Sequence, residues 1–171
     1  VGPFDERYFL YSEDLDWCWR ARLKGYEILY VPSAKIYHHW QGSRGSIVKF
    51  LERHWLASFL KNCNLKTIFV LFPRFLSLKF LKAIWLTKNG EDIEEKLAVF
   101  HGFLWNLINF KCTWRKHLDV QASRRVSDEE IQKYMCKRSF ELAAWMGNIE
   151  HPLIKRLRGN KAEVIVSSAQ R

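Results

Sequence analysis

The stretch YSEDLDWCWRARLKGYEILYVPSAKIYHHW, residues 11–40, decides the fold that the sequence predicts. Ser12 is a suitable N-cap for a helix that runs to about Lys24, and Gly25 is a stop signal at its end. Two β-forming runs, YEILYV and AKIYHH, follow and are separated by Pro32. The local pattern therefore predicts one helix followed by two strands.

The rest of the chain has a helical pattern. Apolar residues recur every three or four positions in SIVKFLERHWLASFLKN, residues 46–62, and in IEEKLAVFHGFLWNLINF, residues 93–110. A third helical segment opens at SDEE, where Ser127 and Glu130 have capping-box spacing. We therefore expect helices throughout residues 47–171.

Length, composition and cysteine usage restrict the class of protein. With 171 residues and 48% hydrophobic content, the chain can bury a core, which excludes a disordered protein. Its four cysteines are far apart and never form CxxC, which argues against a zinc ribbon or a disulfide framework and predicts reduced cytosolic thiols. The chain starts at VGPFDERYF without a signal region, and we expect it to be a piece of a longer protein.

The positive charge lies in one part of the sequence. Residues 1–46 hold six acidic and six basic side chains, so the whole net charge of +10 belongs to residues 47–171. Such an excess indicates an anionic partner, and nucleic acid, phospholipid headgroups and phosphorylated substrates all fit this charge.

The segment LKTIFVLFPRFLSLKFLKAIWLTK, residues 65–88, is very apolar and contains no acidic residue. Pro73 and Arg74 interrupt its apolar run, so it is not expected to span a bilayer. One interpretation is helices that lie in the headgroup layer, with basic side chains directed to anionic lipid. The alternative is a helical hairpin whose aromatic residues form a core. The basic residues concerned are Lys66, Arg74, Lys79, Lys82 and Lys88.

Two groups in residues 11–40 are candidates for chemistry. Acidic residues such as Glu13 and Asp14 favour a helix N-terminus by up to about 1 kcal/mol, which is a purely structural explanation. A helix start that faces a cleft can also hold a general base. His38 and His39 would point to opposite faces of a strand, so at most one is expected to bind a metal, and a packing role is the alternative.

The ordered set of motifs over about residues 2–43 resembles the C-terminal half of the catalytic domain of family 2 glycosyltransferases, especially rhamnosyltransferase-like members. The set comprises GPFDERYF, the ED-x-D motif with Arg20 a turn later, the spacing from Gly25 to Pro32, and the histidine after the last predicted strand. The resemblance implies an α/β fragment of a GT-A nucleotide-diphospho-sugar transferase domain at residues 1–46. It also implies an amphipathic, membrane-associated helical extension over residues 47–171.

The resemblance further implies transfer of a sugar from a nucleotide-diphosphate donor, with inversion. Asp14 would be the base, and Glu13 would shape the acceptor pocket. Asp16 with Arg20 would hold the helix in place, and both would lie near the acceptor or donor. His38 would bind a divalent cation, Mn or Mg, together with a separate DxD motif that is absent from this chain. The DLD of residues 14–16 matches DxD literally, but it is part of the ED-x-D motif that holds the base.

The segment WQGSRGS, residues 40–46, is the predicted lid over the donor diphosphate. Ser43 and Arg44 would contact the diphosphate when the segment closes. Trp40 stands where many relatives have a glycine, and it is placed near the donor or acceptor by position only.

The predicted function is therefore the C-terminal portion of an inverting glycosyltransferase, a hexosyl or deoxyhexosyl transferase. We expect a lipid-linked or polysaccharide acceptor, a cytoplasmic location on the inner face of the cell membrane, and no activity of this chain by itself. The alternative is a basic helical module that binds nucleic acid or anionic membrane without catalysis, although no RNP-type strand supports nucleic acid. A metal-dependent hydrolase is less consistent, because HxH and HExxH are missing.

Overall fold

The computed structural model describes residues 1–37, 44–88 and 93–135. The helices of these residues, α1 to α6, are Glu13–Leu23, Arg44–Asn62, Leu65–Lys88, Ile93–Ile108, Phe110–Ser123 and Asp128–Gln132. All six belong to one compact unit, Val1–Tyr134. The assignment of residues 1–46 to a catalytic domain and of residues 47–171 to an extension stays a prediction.

The predicted α/β fold is wrong, because the described residues form helices and no β-strand. The run YEILYV and the described part of AKIYHH lack regular structure. A strand needs a neighbour that pairs with its N–H and C=O groups, and no second segment does so in the described residues. The side chains of Leu29, Tyr30, Ile36 and Tyr37 are accordingly 76–96% exposed.

Helix α1 confirms the prediction of a helix from residue 13 to about Lys24. Gly25 ends it with a φ of 87°, which only glycine adopts readily. Its N–H donates to the carbonyl of Arg22, and the N–H of Tyr26 donates to that of Ala21. These two bonds satisfy carbonyls at the helix C-terminus.

Helix α2 is the centre of the packing. It contacts α4 most extensively, and it also contacts α1 and α5. The buried core joins residues of α2 to one face of α1 and to α6. It comprises Trp19, Leu23, Leu56, Phe59, Cys63 and Ile131. The helix predicted over residues 46–62 is thus confirmed, and its apolar residues Leu56 and Phe59 pack in the core.

Helix α3 continues through Pro73 as one helix. No described helix is both long and apolar enough to cross a bilayer. Lys79 and Lys82, which only the membrane-surface interpretation directs toward lipid, instead bind the carboxylate of Glu52 on α2 at 2.8 and 2.5 Å. Burial alone would raise the pKa of Glu52, but the two ammonium groups hold it below its ordinary value.

Helices α2 and α4 approach closely at Gly102. A Cβ added there would lie 3.0 Å from Cβ and 3.1 Å from the carbonyl carbon of Glu52. Because one of these atoms is backbone, the helices would have to separate to admit a side chain.

We expect Gly102→Ala to lower the free energy of unfolding by about 1–2 kcal/mol net, because overpacking against atoms 3.0 and 3.1 Å away should cost about 2–3 kcal/mol. This cost would outweigh the helix preference of alanine over glycine, about 1 kcal/mol. Urea denaturation monitored by circular dichroism measures it. Ser77→Ala, at an exposed position of α3, is the control and should change stability by less than about 0.5 kcal/mol. A Gly102→Ala variant as stable as the original would show that α2 and α4 separate without cost.

Candidate functional site

Glu13 and Asp14 open α1 and differ in exposure. Asp14 is exposed, and its Oδ1 accepts a hydrogen bond from the N–H of Leu15 at 2.7 Å. Glu13 is half-buried, and its Oε2 has no hydrogen-bond partner among the described residues. Asp14 is therefore the carboxylate of this pair that a substrate hydroxyl can reach, as a general base requires.

The backbone immediately before α1 is strained. Tyr11 and Ser12 have φ angles of 65° and 67°, in the left-handed region that residues other than glycine rarely occupy. Each such residue costs about 1–3 kcal/mol, and it persists only where surrounding contacts hold it. Strain at this turn thus coincides with the carboxylates that the sequence selected.

Ser12 precedes α1 as predicted, but the predicted side-chain cap is wrong. Its side chain makes no capping hydrogen bond. A capping residue normally has extended backbone angles, and the left-handed angles of Ser12 do not provide that geometry. The carbonyl of Ser12 accepts the first helical bond, from the N–H of Asp16 at 3.0 Å.

Asp16 and Arg20 lie on the buried side of α1. The carboxylate of Asp16 is fully buried and accepts hydrogen bonds from Arg20 at 2.9 Å and Asn62 at 3.0 Å, with Lys61 Nζ at 2.8 Å. Arg20 also donates to the carbonyls of Val1 and Pro3. The structure therefore separates Asp16, which connects α1 to α2, from Asp14, which faces solvent.

A second buried carboxylate, Asp5, was not selected from the sequence. Its side chain is 2% exposed and binds Arg7 at 3.1 Å, Lys61 at 2.8 Å and Lys116 at 2.6 Å. Burial would raise the pKa of Asp5, but hydrogen bonds from these three cations hold it well below its ordinary value. Arg7 also donates to the hydroxyl of Thr113 on α5. Asp5 thus attaches the segment before α1 to α2 and α5.

A cavity of about 380 Å³ lies beside this ion-pair cluster. Its charged lining includes Asp5, Arg20, Lys61 and Lys116. Neither Glu13 nor Asp14 lines it, so the exposed carboxylate and the cavity are separate features.

Most of the predicted donor-side residues lie in residues 38–43, outside the described part of the chain. His38, Trp40 and Ser43 lie outside the described residues, and Arg44 is the first residue of α2. Within residues 1–37, 44–88 and 93–135, no three His, Cys, Asp or Glu side chains gather into a possible metal site. The predicted metal ligand and lid stay predictions.

Comparison with known proteins gives one partial similarity. A segment of 45 residues, 26% of this chain, is 51% identical to N-acetylglucosaminyl-diphospho-decaprenol L-rhamnosyltransferase of Mycobacterium tuberculosis, from each of two strains. The chain covers about 15% of the length of these curated relatives. No family model matches the chain. No solved structure matches it either. Across 26% of its length, the chain is thus similar to a glycosyltransferase.

Proposed function

We propose that this chain is part of an inverting family 2 glycosyltransferase. It would transfer a hexosyl or deoxyhexosyl group from a nucleotide-diphosphate donor to a hydroxyl of a lipid-linked or polysaccharide acceptor. The observation that carries the proposal is the 51% identity over 45 residues to an L-rhamnosyltransferase whose name specifies a diphospho-decaprenol acceptor.

Asp14 is the proposed general base. Its carboxylate is exposed at the first turn of α1, and α1 is attached to α2 through the buried Asp16. A base that removes a proton from the acceptor hydroxyl must be accessible and firmly held, and Asp14 meets both conditions. Glu13, half-buried beside it, is proposed to shape the acceptor pocket.

The donor site is assigned to residues outside the described part of the chain. A divalent cation, Mn or Mg, held by His38 and a DxD motif distinct from the DLD of residues 14–16, would neutralise negative charge on the departing diphosphate.

The proposed location is the inner face of the cell membrane, with the exposed face of α3 on anionic lipid. Phe69 and Phe80 on this face are 77% and 67% exposed. Lys66 and Arg74 are also exposed, and α3 contains no acidic residue. Exposed apolar area accompanied only by positive charge is complementary to an anionic bilayer surface. The other exposed apolar residues of α3 are Leu65, Val70, Leu76, Leu81 and Ile84.

We expect the double substitution Phe69→Ser and Phe80→Ser to weaken binding to vesicles of anionic phospholipid. Inserting one phenylalanine side chain contributes about 1.5–3 kcal/mol, so the loss of two should weaken binding at least about 100-fold. Vesicle sedimentation at several salt concentrations measures it.

Tyr30→Ser is the matched control, because Tyr30 is 88% exposed outside α3. It should leave vesicle binding unchanged. Binding to single-stranded RNA without binding to vesicles would contradict the membrane proposal and favour a nucleic-acid module.

The transferase proposal is tested with the whole protein that carries these residues. Labelled nucleotide-diphospho sugars are supplied with polyprenyl-diphosphate-linked acceptors, and the lipid-linked product is measured. Transfer of one sugar with inverted anomeric configuration is the expected result. Hydrolysis of the donors without transfer, or no reaction with any hexose or deoxyhexose donor, would contradict the proposal.

A further inference from the structure

His54 of α2 contacts the strained turn that precedes the acidic pair. Its Nδ1 lies 2.8 Å from the carbonyl oxygen of Tyr11, the first of the two left-handed residues. A carbonyl oxygen can only accept, so this hydrogen bond requires a proton on Nδ1. The bond joins α2 directly to the backbone that leads into Glu13 and Asp14.

The imidazole ring is held on several sides. It is 1% exposed, and it stacks on Tyr8 with ring centroids 4.6 Å apart and an interplanar angle of 12°. Phe50 and Trp105 contact it at centroid distances of 5.6 and 5.9 Å. Burial lowers the pKa of His54 below its ordinary value, which favours the neutral ring. The hydrogen bond to the Tyr11 carbonyl places the proton of that ring on Nδ1.

The stacked Tyr8 is itself fixed. Its hydroxyl accepts a hydrogen bond from Ser58 Oγ at 3.1 Å, and its ring lies 4.7 Å from Lys61 Nζ. The ring of His54 therefore has little freedom to move away from the Tyr11 carbonyl.

We infer that His54 is a positioning residue, which holds Tyr11 and Ser12 in the left-handed turn and thereby places the Asp14 carboxylate for proton removal. The inference rests on the proposed function. It goes beyond that function by assigning a role to a buried residue of α2, 40 positions away in the sequence from Asp14. Strained backbone persists only where its surroundings hold it, and the hydrogen bond from His54 supplies such a contact.

Two variants separate the hydrogen bond from the packing. His54→Phe keeps a ring against Tyr8 but removes the N–H that donates the hydrogen bond to Tyr11. His54→Asn loses the ring, yet its amide nitrogen occupies nearly the position of Nδ1. In the whole protein, His54→Phe should lower kcat about 10–100-fold, because a displacement of 1 Å has effects of this size, while KM for the donor stays unchanged. His54→Asn should recover most of the lost rate.

A conformational measurement on the same variants is independent of activity. The intraresidue N–H to Hα cross-peaks of Tyr11 and Ser12, which are strong at positive φ, should weaken in His54→Phe and persist in His54→Asn. Unchanged cross-peaks in both variants would overturn the inference. Equal loss of kcat in both variants would overturn it too. A loss that is the same with and without the hydrogen-bonding N–H would indicate that His54 acts only through packing.

Failure of the inference can be distinguished from failure of the proposed function. If Asp14→Asn abolishes transfer and His54→Phe leaves kcat unchanged, the positioning role is wrong and the transferase proposal stands. If Asp14→Asn leaves transfer intact, the assignment of the base is wrong, and the cross-peaks still decide whether His54 holds the turn.

Discussion

Replacing Asp5 with asparagine is expected to lower the free energy of unfolding by about 3–5 kcal/mol, the usual cost of breaking a buried ion pair. Asp5 and Asp16 are the two carboxylates that form ion pairs with Arg7, Arg20, Lys61 and Lys116, so they offset half of this positive charge. In Asp5→Asn, only the carboxylate of Asp16 remains among these cations. Their mutual repulsion in a buried environment would therefore be poorly compensated. Urea denaturation measures the change.

Asp119→Asn is the matched control, because Asp119 is an exposed carboxylate on α5. It should change stability by less than about 0.5 kcal/mol. Equal stability of the Asp5→Asn variant and the original chain would show that water or structural relaxation compensates the cations.

The effect of Asp5→Asn should also depend on pH in a defined direction. The pKa of Asp5 is lowered in the folded chain, so its stabilisation is complete above the pKa of an unfolded aspartate, about 3.9. It is lost as the pH falls from there toward the folded value. The stability difference between the original chain and Asp5→Asn should thus be constant from about pH 7 to pH 5 and shrink below about pH 4.

Replacing Asp14 with asparagine in the whole protein is expected to lower kcat about 10²–10⁴-fold, the contribution of a general base. Asparagine has nearly the same shape but cannot take a proton from the acceptor hydroxyl. Binding of the nucleotide-sugar donor should be unchanged, because the base acts on the acceptor. Transfer assays and equilibrium donor binding measure the two quantities.

Stability measurements show whether a lost rate is chemical. Asp14 is exposed, and its side chain bonds the N–H of Leu15, so Asp14→Asn should cost at most about 1 kcal/mol. Asp119→Asn again serves as the control and should transfer at the original rate. A nearly full rate in Asp14→Asn would place the base elsewhere.

Part of the candidate site was accessible from local sequence. Glu13 and Asp14 stand at the start of a helix whose end is marked by Gly25, and the structure confirms both boundaries. The N-cap at Ser127 is also confirmed, since its hydroxyl accepts from the N–H of Glu130 at 3.3 Å, while the carboxylate of Glu130 binds Lys133. Such signals depend on residues within one turn of each other, which is why a short pattern reveals them.

The charged cluster around Asp5 could not be predicted from local sequence. Its partners Lys61 and Lys116 lie 56 and 111 positions further along the chain. Lys61 does interrupt an apolar face of α2, which is a weak signal of a buried partner, but it does not identify which carboxylate binds it. The hydrogen bond from His54 to the Tyr11 carbonyl joins residues 43 positions apart, and no local sequence pattern predicts it.

The strand prediction failed because strand formation, like the Asp5 cluster, depends on distant residues. The β-forming residues of YEILYV favour extended backbone, yet a ladder forms only with a partner that the segment itself cannot supply. Helix positions follow from neighbouring residues alone, because each helical hydrogen bond is made within four positions. Three other features depend on residues that are distant in the sequence: which charges are buried, how the turn before α1 is held, and whether an extended segment joins a sheet. They were therefore decided only by the tertiary structure.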